Sequence, residues 1–272
     1  YIEIKPLYRK KGGALLKNII ETRIREFIDN HVKTENLEGI WQEPLFAYAS
    51  AYDPMFLDLR ETVSPTHSMP SDFMEHPRTV ITYFLPFNEY VAESNSYGEY
   101  SSVEWGKAYV ETNRLIELIN ADIQAFMKEK GFKSTLIPPT NNFDPEKLIS
   151  DWSQRHVAFI AGLGKFGLHR MLITEKGCCG RIGSIVTNMY LEPTTRPSGE
   201  YCLNKHNGTC TMCVKKCVNE ALFENEASFD RNRCHDMCLK NGEKLKEVGT
   251  ADVCGKCLSV VPCSYINPVS ML

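Results

Sequence analysis

Nine of the eleven cysteines in this chain of 272 residues fall between Cys202 and Cys263. Eight of them form two groups. The first is Cys202, Cys210, Cys213 and Cys217; the second is Cys234, Cys254, Cys257 and Cys263. Thiolates at such spacing bind metal. A Cys-x2-Cys pair, here Cys210/Cys213 and Cys254/Cys257, sets two sulfurs on one tight turn, close enough to share one centre. A further Cys four residues on, Cys217, points away from that centre and can serve a second one.

Two 4Fe-4S clusters account for all eight. Where two clusters share a module, the last Cys of a run ligates the other cluster. Crossing the ligands in this way gives one cluster Cys202, Cys210, Cys213 and Cys263. The other takes Cys217, Cys234, Cys254 and Cys257. The run departs from the compact pattern: seven residues separate Cys202 from Cys210, Val218 follows Cys217, and five residues separate Cys257 from Cys263. The first insertion contains Asn207-Gly208, a turn dipeptide that absorbs it locally. Cys238 follows Cys234 by one helical turn, and either can be the eighth ligand. A zinc site of Cys210, Cys213, Cys254 and Cys257 competes, but it leaves five nearby cysteines without a role. Disulfides suit oxidising compartments, and no segment reads as a secretory signal. Cys178 and Cys179 match neither group and read as loop or core thiols.

A single electron-transfer module needs far less chain than this. The charge balance of −3 and pI near 6.2 give no overall pull toward nucleic acid or anionic membrane. No apolar run has the length of a membrane span. A cytoplasmic location is expected. Cysteine is absent before Cys178, which divides the chain into an α/β domain over 1–195 and a metal-organised module over 196–272.

Periodicity supplies the elements that must position these groups. Apolar residues from Ala14 to His31 recur at helical spacing, and Trp105 to Lys130 predicts a long amphipathic helix closed by Gly131. Pro145 to Ile160 predicts another. Arg78 to Leu85, Met171 to Thr174 and Ser184 to Leu191 predict strands. The string Gly162-x-Gly164-x-x-Gly167 matches a dinucleotide fingerprint, but a helix precedes it and a strand follows, the reverse of what that motif needs. The glycines either let backbone approach a flat ligand or make a tight turn. Trp152, Phe159 and Phe166 either wall such a ligand or belong to the core.

The segments WSQRHVAFIAGLGKFGLHRMLIT, CGRIGSIVTN, HPRTVITYFLPF and SSVEWGKAYVETNRLI, together with the cysteine groups, resemble epoxyqueuosine reductases and their shorter relatives. The resemblance runs from roughly residue 40 to 268. It implies a nitroreductase-like α/β (α+β) cofactor domain followed by a dicluster ferredoxin-like module. It implies two 4Fe-4S clusters passing electrons to a cobalamin held near Gly162, Leu163, Gly164, Gly167 and His156. In the tRNA-modifying members an Asp upstream of the AGLG loop donates a proton. Asp151 is the candidate here, with Asp144 nearby, although the ungapped family position is Leu148. His169 carries the same ambiguity as His156, between ligand contact and ordinary packing. His206 and His235 flank ligand cysteines, where they either tune a cluster or face solvent. Lys215, Lys216, Arg231 and Arg233 form a small basic group whose expected task is to offset cluster charge; tRNA contact is not favoured. The expected function is a reductase fed by a donor such as ferredoxin or flavodoxin. The alternatives are an electron-transfer or corrinoid-reducing accessory protein, and a zinc-stabilised binding protein.

Overall fold

The computed structural model describes residues 11–272; the first ten residues of the expected 1–195 domain lie outside them. In chain order the helices are α1 (Lys11–Glu35), α2 (Met55–Thr62), α3 (Pro70–Phe73), α4 (Glu89–Ser94), α5 (Val103–Glu129), α6 (Gln154–Ala161), α7 (Leu203–Asn207), α8 (Met212–Lys215) and α9 (Arg231–Lys244). The strands are β1 (Leu45–Ser50), β2 (Thr79–Pro86), β3 (Phe143–Asp144), β4 (Ile149–Ser150), β5 (Lys165–Phe166), β6 (Leu172–Ile173) and β7 (Gly180–Thr187). The architecture is mixed α/β with small sheets.

The central sheet is antiparallel, in the order β1-β2-β7. Every residue of β2 is buried, because helices cover both faces. Side chains alternate along a strand, so Ile81, Tyr83 and Leu85 meet Ile20, Ile24, Leu115, Ile119 and Ile123 of α1 and α5 on one face. Val80 and Phe84 meet Phe56, Trp152, Val157 and Ala161 on the other, under α2 and α6. Strand β2 therefore reads as a continuous apolar run rather than an alternating one. Tyr83 needs a partner for its buried hydroxyl and donates to Asn120 Oδ1 at 2.8 Å.

The helix expected over 145–160 is corrected. Residues 143–150 form the β3–β4 hairpin, and the helix starts only at Gln154. Asp144 Oδ1 accepts the backbone N–H of Glu146 and of Lys147, at 2.9 and 3.0 Å. That Asx turn outcompetes helix propagation. Leu148 then takes a left-handed conformation, φ 55°. The strand expected over 184–191 begins earlier, at Gly180, and ends at Thr187.

A third core joins the two halves of the chain. Phe87, Val91 and Trp105 pack with Leu168, Ile173, Cys178, Cys179, Cys202, Cys213, Leu258 and Cys263. The loop before α5 reaches into the cysteine segment. Asn95 Nδ2 donates to Cys254 O at 3.0 Å, and Ser101 Oγ donates to the same oxygen at 2.8 Å.

Candidate functional site

The thiols collect in two groups. Cys202, Cys210, Cys213 and Cys263 line one cavity with His169, Leu203, Val261, Pro262 and Pro268. Short helices set them there: Cys202 caps α7, while Cys213 lies in α8, and Cys202, Cys213 and Cys263 are buried. Burial, followed by the charges of Cys263, Cys202 and Cys210, pushes the Cys213 thiol up to about 12.

Cys217, Cys234, Cys254 and Cys257 make the second group. Burial pushes Cys257 well up, and Cys254, Cys234 and Cys217 add to the shift. Burial likewise raises Cys254 to about 11, with Cys234 and Cys217 contributing. The Cys210/Cys213 pair lines the first cavity, and Cys254/Cys257 does not. Cys238 stands beside Cys234, whose thiol is lowered by the hydrogen bond between them. Cys217 Sγ also accepts the N–H of Ala221 at 3.2 Å.

The turn bearing Cys254 and Cys257 is shaped by glycine. Gly255 has φ +72°, and a Cβ there would stand 2.2 Å from the Trp105 ring. Trp105 Nε1 is buried and has no hydrogen-bond partner among the described residues. Between the two cysteines Lys256 is buried, its Nζ donating to Asn95 O at 3.0 Å and Tyr97 O at 2.6 Å. Burial lowers its pKa, and Cys254 opposes that. Lys256 was not singled out by motif, because only the fold shows that it is buried.

These donors fit a sulfur-bound metal centre. Burial raises Cys213, Cys254 and Cys257, and a bound cation would favour their thiolate forms together. The soft donor set suits iron–sulfur or zinc. The indole N–H of Trp105 is thus a buried donor without a partner, packed on the turn that bears Cys254 and Cys257.

The three histidines near the cysteines have different surroundings. His206 is exposed, and His235 lies against Phe143, with ring centroids 6.3 Å apart. The histidine that reaches a candidate ligand is His169, with Nε2 3.3 Å from Cys263 Sγ. Cys178, read as a core thiol, is buried and joins them: ligand atoms of His169, Cys178 and Cys263 lie within 4.8 Å of one another. Spacing could not have shown this, since His169 and Cys263 are 94 residues apart. Three residues of the expected basic group have separate partners. Arg233 pairs with Glu220 and Asp230, Arg231 donates to Lys147 O and Leu148 O, and Lys216 donates to Ser259 O.

The glycine string begins as a helix cap. Gly162, φ +87°, ends α6 in the left-handed conformation typical of that position. A Cβ on Gly164 would meet Ile173 O at 2.1 Å, and one on Gly167 would meet His169 Cε1 at 2.7 Å. Gly164 and Gly167 therefore close on the protein itself, with Leu163 buried beside them. Beside the loop, His156, Phe159 and Phe166 pack as tilted rings, with centroids 4.8 Å (His156–Phe166) and 5.5 Å (Phe159–Phe166) apart. Burial lowers the His156 pKa to about 4, and Arg155 adds to this. Trp152 is a core residue, packed on Phe56, His67 and Phe73. Asp151 precedes α6 and accepts from Thr66 Oγ1 at 2.6 Å and Asn142 Nδ2 at 2.5 Å.

No family model matches the chain. Over 184 residues it is 27% identical to an epoxyqueuosine reductase of Synechocystis sp. (strain ATCC 27184 / PCC 6803 / Kazusa), covering 65% of this chain and 56% of the relative. The structure of epoxyqueuosine reductase from Streptococcus thermophilus aligns with TM-score 0.54 and 16% identity, over 91% of this chain and 66% of that one. A selenomethionine-labeled epoxyqueuosine reductase aligns with TM-score 0.53 and 17% identity, over 89% and 66%. The chain spans little more than half the length of the curated relative. In sequence and in fold the chain is epoxyqueuosine reductase-like.

Proposed function

We propose that this protein is an iron–sulfur reductase whose two 4Fe-4S clusters are held by Cys202, Cys210, Cys213 and Cys263, and by Cys217, Cys254, Cys257 and Cys234. Cys238 is the alternative to Cys234. The observation that carries the proposal is the convergence of the spaced thiols: Cys202, Cys210, Cys213 and Cys263 line one cavity, and Cys217 and Cys257 pack against the core that contains it. Bound there, the clusters would supply one-electron transfer. The chain's own part is electrostatic and steric. Lys256 places a buried ammonium between two ligands, Cys217 accepts a backbone N–H, and the core around Trp105 excludes water. The proposed division into an α/β domain over 1–195 and a ferredoxin-like module over 196–272 places the sheet on one side of that core and the clusters on the other.

The electron acceptor belongs beside α6 and the glycine string, where His156, Phe159 and Phe166 form a partly exposed aromatic strip. A corrinoid is the acceptor that the resemblance to epoxyqueuosine reductases implies, and Asp151 is its proposed proton donor. Gly164 and Gly167 do not form an open cradle for a corrinoid, because protein atoms fill the space a Cβ would need. That closure also supports a second reading, an electron-transfer or corrinoid-reducing accessory protein that serves a partner's substrate. A ferredoxin or flavodoxin is the proposed donor.

Anaerobic purification tests the proposal. The expected product is brown, with about eight irons per chain. Zinc without iron would sink it in favour of a zinc-stabilised protein. Added hydroxocobalamin should co-elute if the corrinoid reading holds. Intact clusters with no retention would leave the accessory reading.

A further inference from the structure

His169 is buried at 5% exposure and sits on the turn between β5 and β6. Its tautomer follows from its two contacts. Nδ1 accepts the Met171 N–H at 3.1 Å, so the ring proton of the neutral imidazole resides on Nε2. Nε2 lies 3.3 Å from Cys263 Sγ, so the N–H donates to sulfur. Gly167 makes room for this, because a Cβ there would stand 2.7 Å from His169 Cε1 and 3.0 Å from Nε2. The third glycine of the string therefore seats a histidine rather than a ligand. The backbone that carries Cys263 is held as well: the Cys178 N–H donates to Cys263 O at 3.0 Å, and Cys179 N–H to Ser264 O at 3.1 Å.

We propose that His169 is a positioning residue, seated by Gly167, whose Nε2–H donates to Cys263 Sγ and raises the midpoint potential of the cluster bound by Cys202, Cys210, Cys213 and Cys263. The inference rests on the iron–sulfur reading of those cysteines. Its physical basis is charge. Adding an electron makes the cluster and its thiolates more negative, so a hydrogen bond to a ligand sulfur stabilises the reduced form more than the oxidised form. The bond crosses from the glycine string to the cysteine segment, so it also ties the acceptor side of the molecule to this cluster rather than to its neighbour.

The test is a dithionite titration of the anaerobically purified full chain, followed by EPR, in wild type, His169→Phe, His169→Gln and Gly167→Ala. One of two midpoints should move negative in His169→Phe and return toward wild type in His169→Gln, which keeps an N–H donor. Gly167→Ala keeps the histidine but displaces its ring, and should move the same midpoint in the same direction. The other cluster should not change. Full iron content with both midpoints unshifted in His169→Phe would overturn the proposal, as would an equal shift in both. If His169→Phe sheds iron, Gly167→Ala is judged by the same criterion. Loss of one separate metal equivalent, with both potentials unmoved, would mean that His169, Cys178 and Cys263 bind an ion of their own, and would also overturn it. Wild type without iron defeats the underlying cluster reading, a distinct result.

Discussion

Asn95 is fully buried and bridges two distant parts of the chain. Its Nδ2 donates to Cys254 O and Ser259 Oγ, both at 3.0 Å, and its Oδ1 accepts Ser102 N–H at 3.0 Å. Truncation leaves Ser102 N–H without its acceptor and removes one of two partners from Ser259 Oγ and from Cys254 O, which costs about 2 kcal/mol. Asn95→Ala should lower the urea midpoint of the anaerobic protein and hasten iron loss to a chelator. A midpoint equal to wild type would count against that role. His67 and His156 make a pH prediction at the same scale. His67 Nε2 accepts Ser153 N–H at 3.0 Å, and Nδ1 donates to Ser68 O at 2.9 Å, so the ring is neutral. Burial lowers both histidines, His156 to about 4 from 6.5. Between those values the unfolded chain binds protons that the folded chain does not. Stability is therefore full above the unfolded pKa and falls as pH drops from about 6.5 toward 4. His156→Gln should flatten that fall in urea denaturation compared at pH 7 and pH 5.5; an unchanged slope would show that His156 does not titrate in this way.

At the scale of elements, what was legible depended on length. α1, α5 and β2 were readable because long apolar patterns average out local preferences. The segment 145–160 was misread because Leu148, Ile149 and Trp152 have helical spacing while Asp144 captures two backbone N–H groups and makes a turn. Only Trp152 of these is fully buried. In the site, the cysteine groups were visible from spacing, but His169, Cys178 and Lys256 were not, because their relevance depends on which loops meet. Two glycines govern those meetings. Gly177, φ +72°, leaves space for Ser264, whose oxygen would stand 2.3 Å from a Cβ; Gly255 does the same for Trp105. Both turns are tied to one thiol group each. Gly177→Ala should therefore cost iron at the Cys263 group, and Gly255→Ala at the Cys254/Cys257 group. Each should halve the iron content, with a different EPR signal surviving. Loss of the same signal in both variants would refute the separation.

The described residues form three cores, and among them only one contains cysteine. The two cores flanking the sheet use aliphatic and aromatic residues, Ile81 and Leu115 on one face, Phe84 and Trp152 on the other. They are self-sufficient in apolar contacts. The third core combines Phe87, Val91 and Trp105 with Cys202, Cys213 and Cys263, while Cys217 and Cys257 are packed against it. Its apolar surface is continuous with the candidate ligands, so on the proposed cluster reading metal-binding energy would be folding energy there. Removing metal should leave the sheet cores folded and release the third core as a unit. The loop from Asn95 to Ser102 should open with the cysteine segment although it lies in the α/β part, because Asn95, Ser101 and Lys256 bind across that boundary. Amide hydrogen exchange on protein treated anaerobically with chelator and oxidant measures this. Protection should persist in β2 and β7 and vanish together in 95–106, 177–179 and 202–263. Protection retained over 95–106 while 202–263 opens would show that the metal module unfolds alone. Loss of protection in β2 as well would show that the clusters hold up the entire fold.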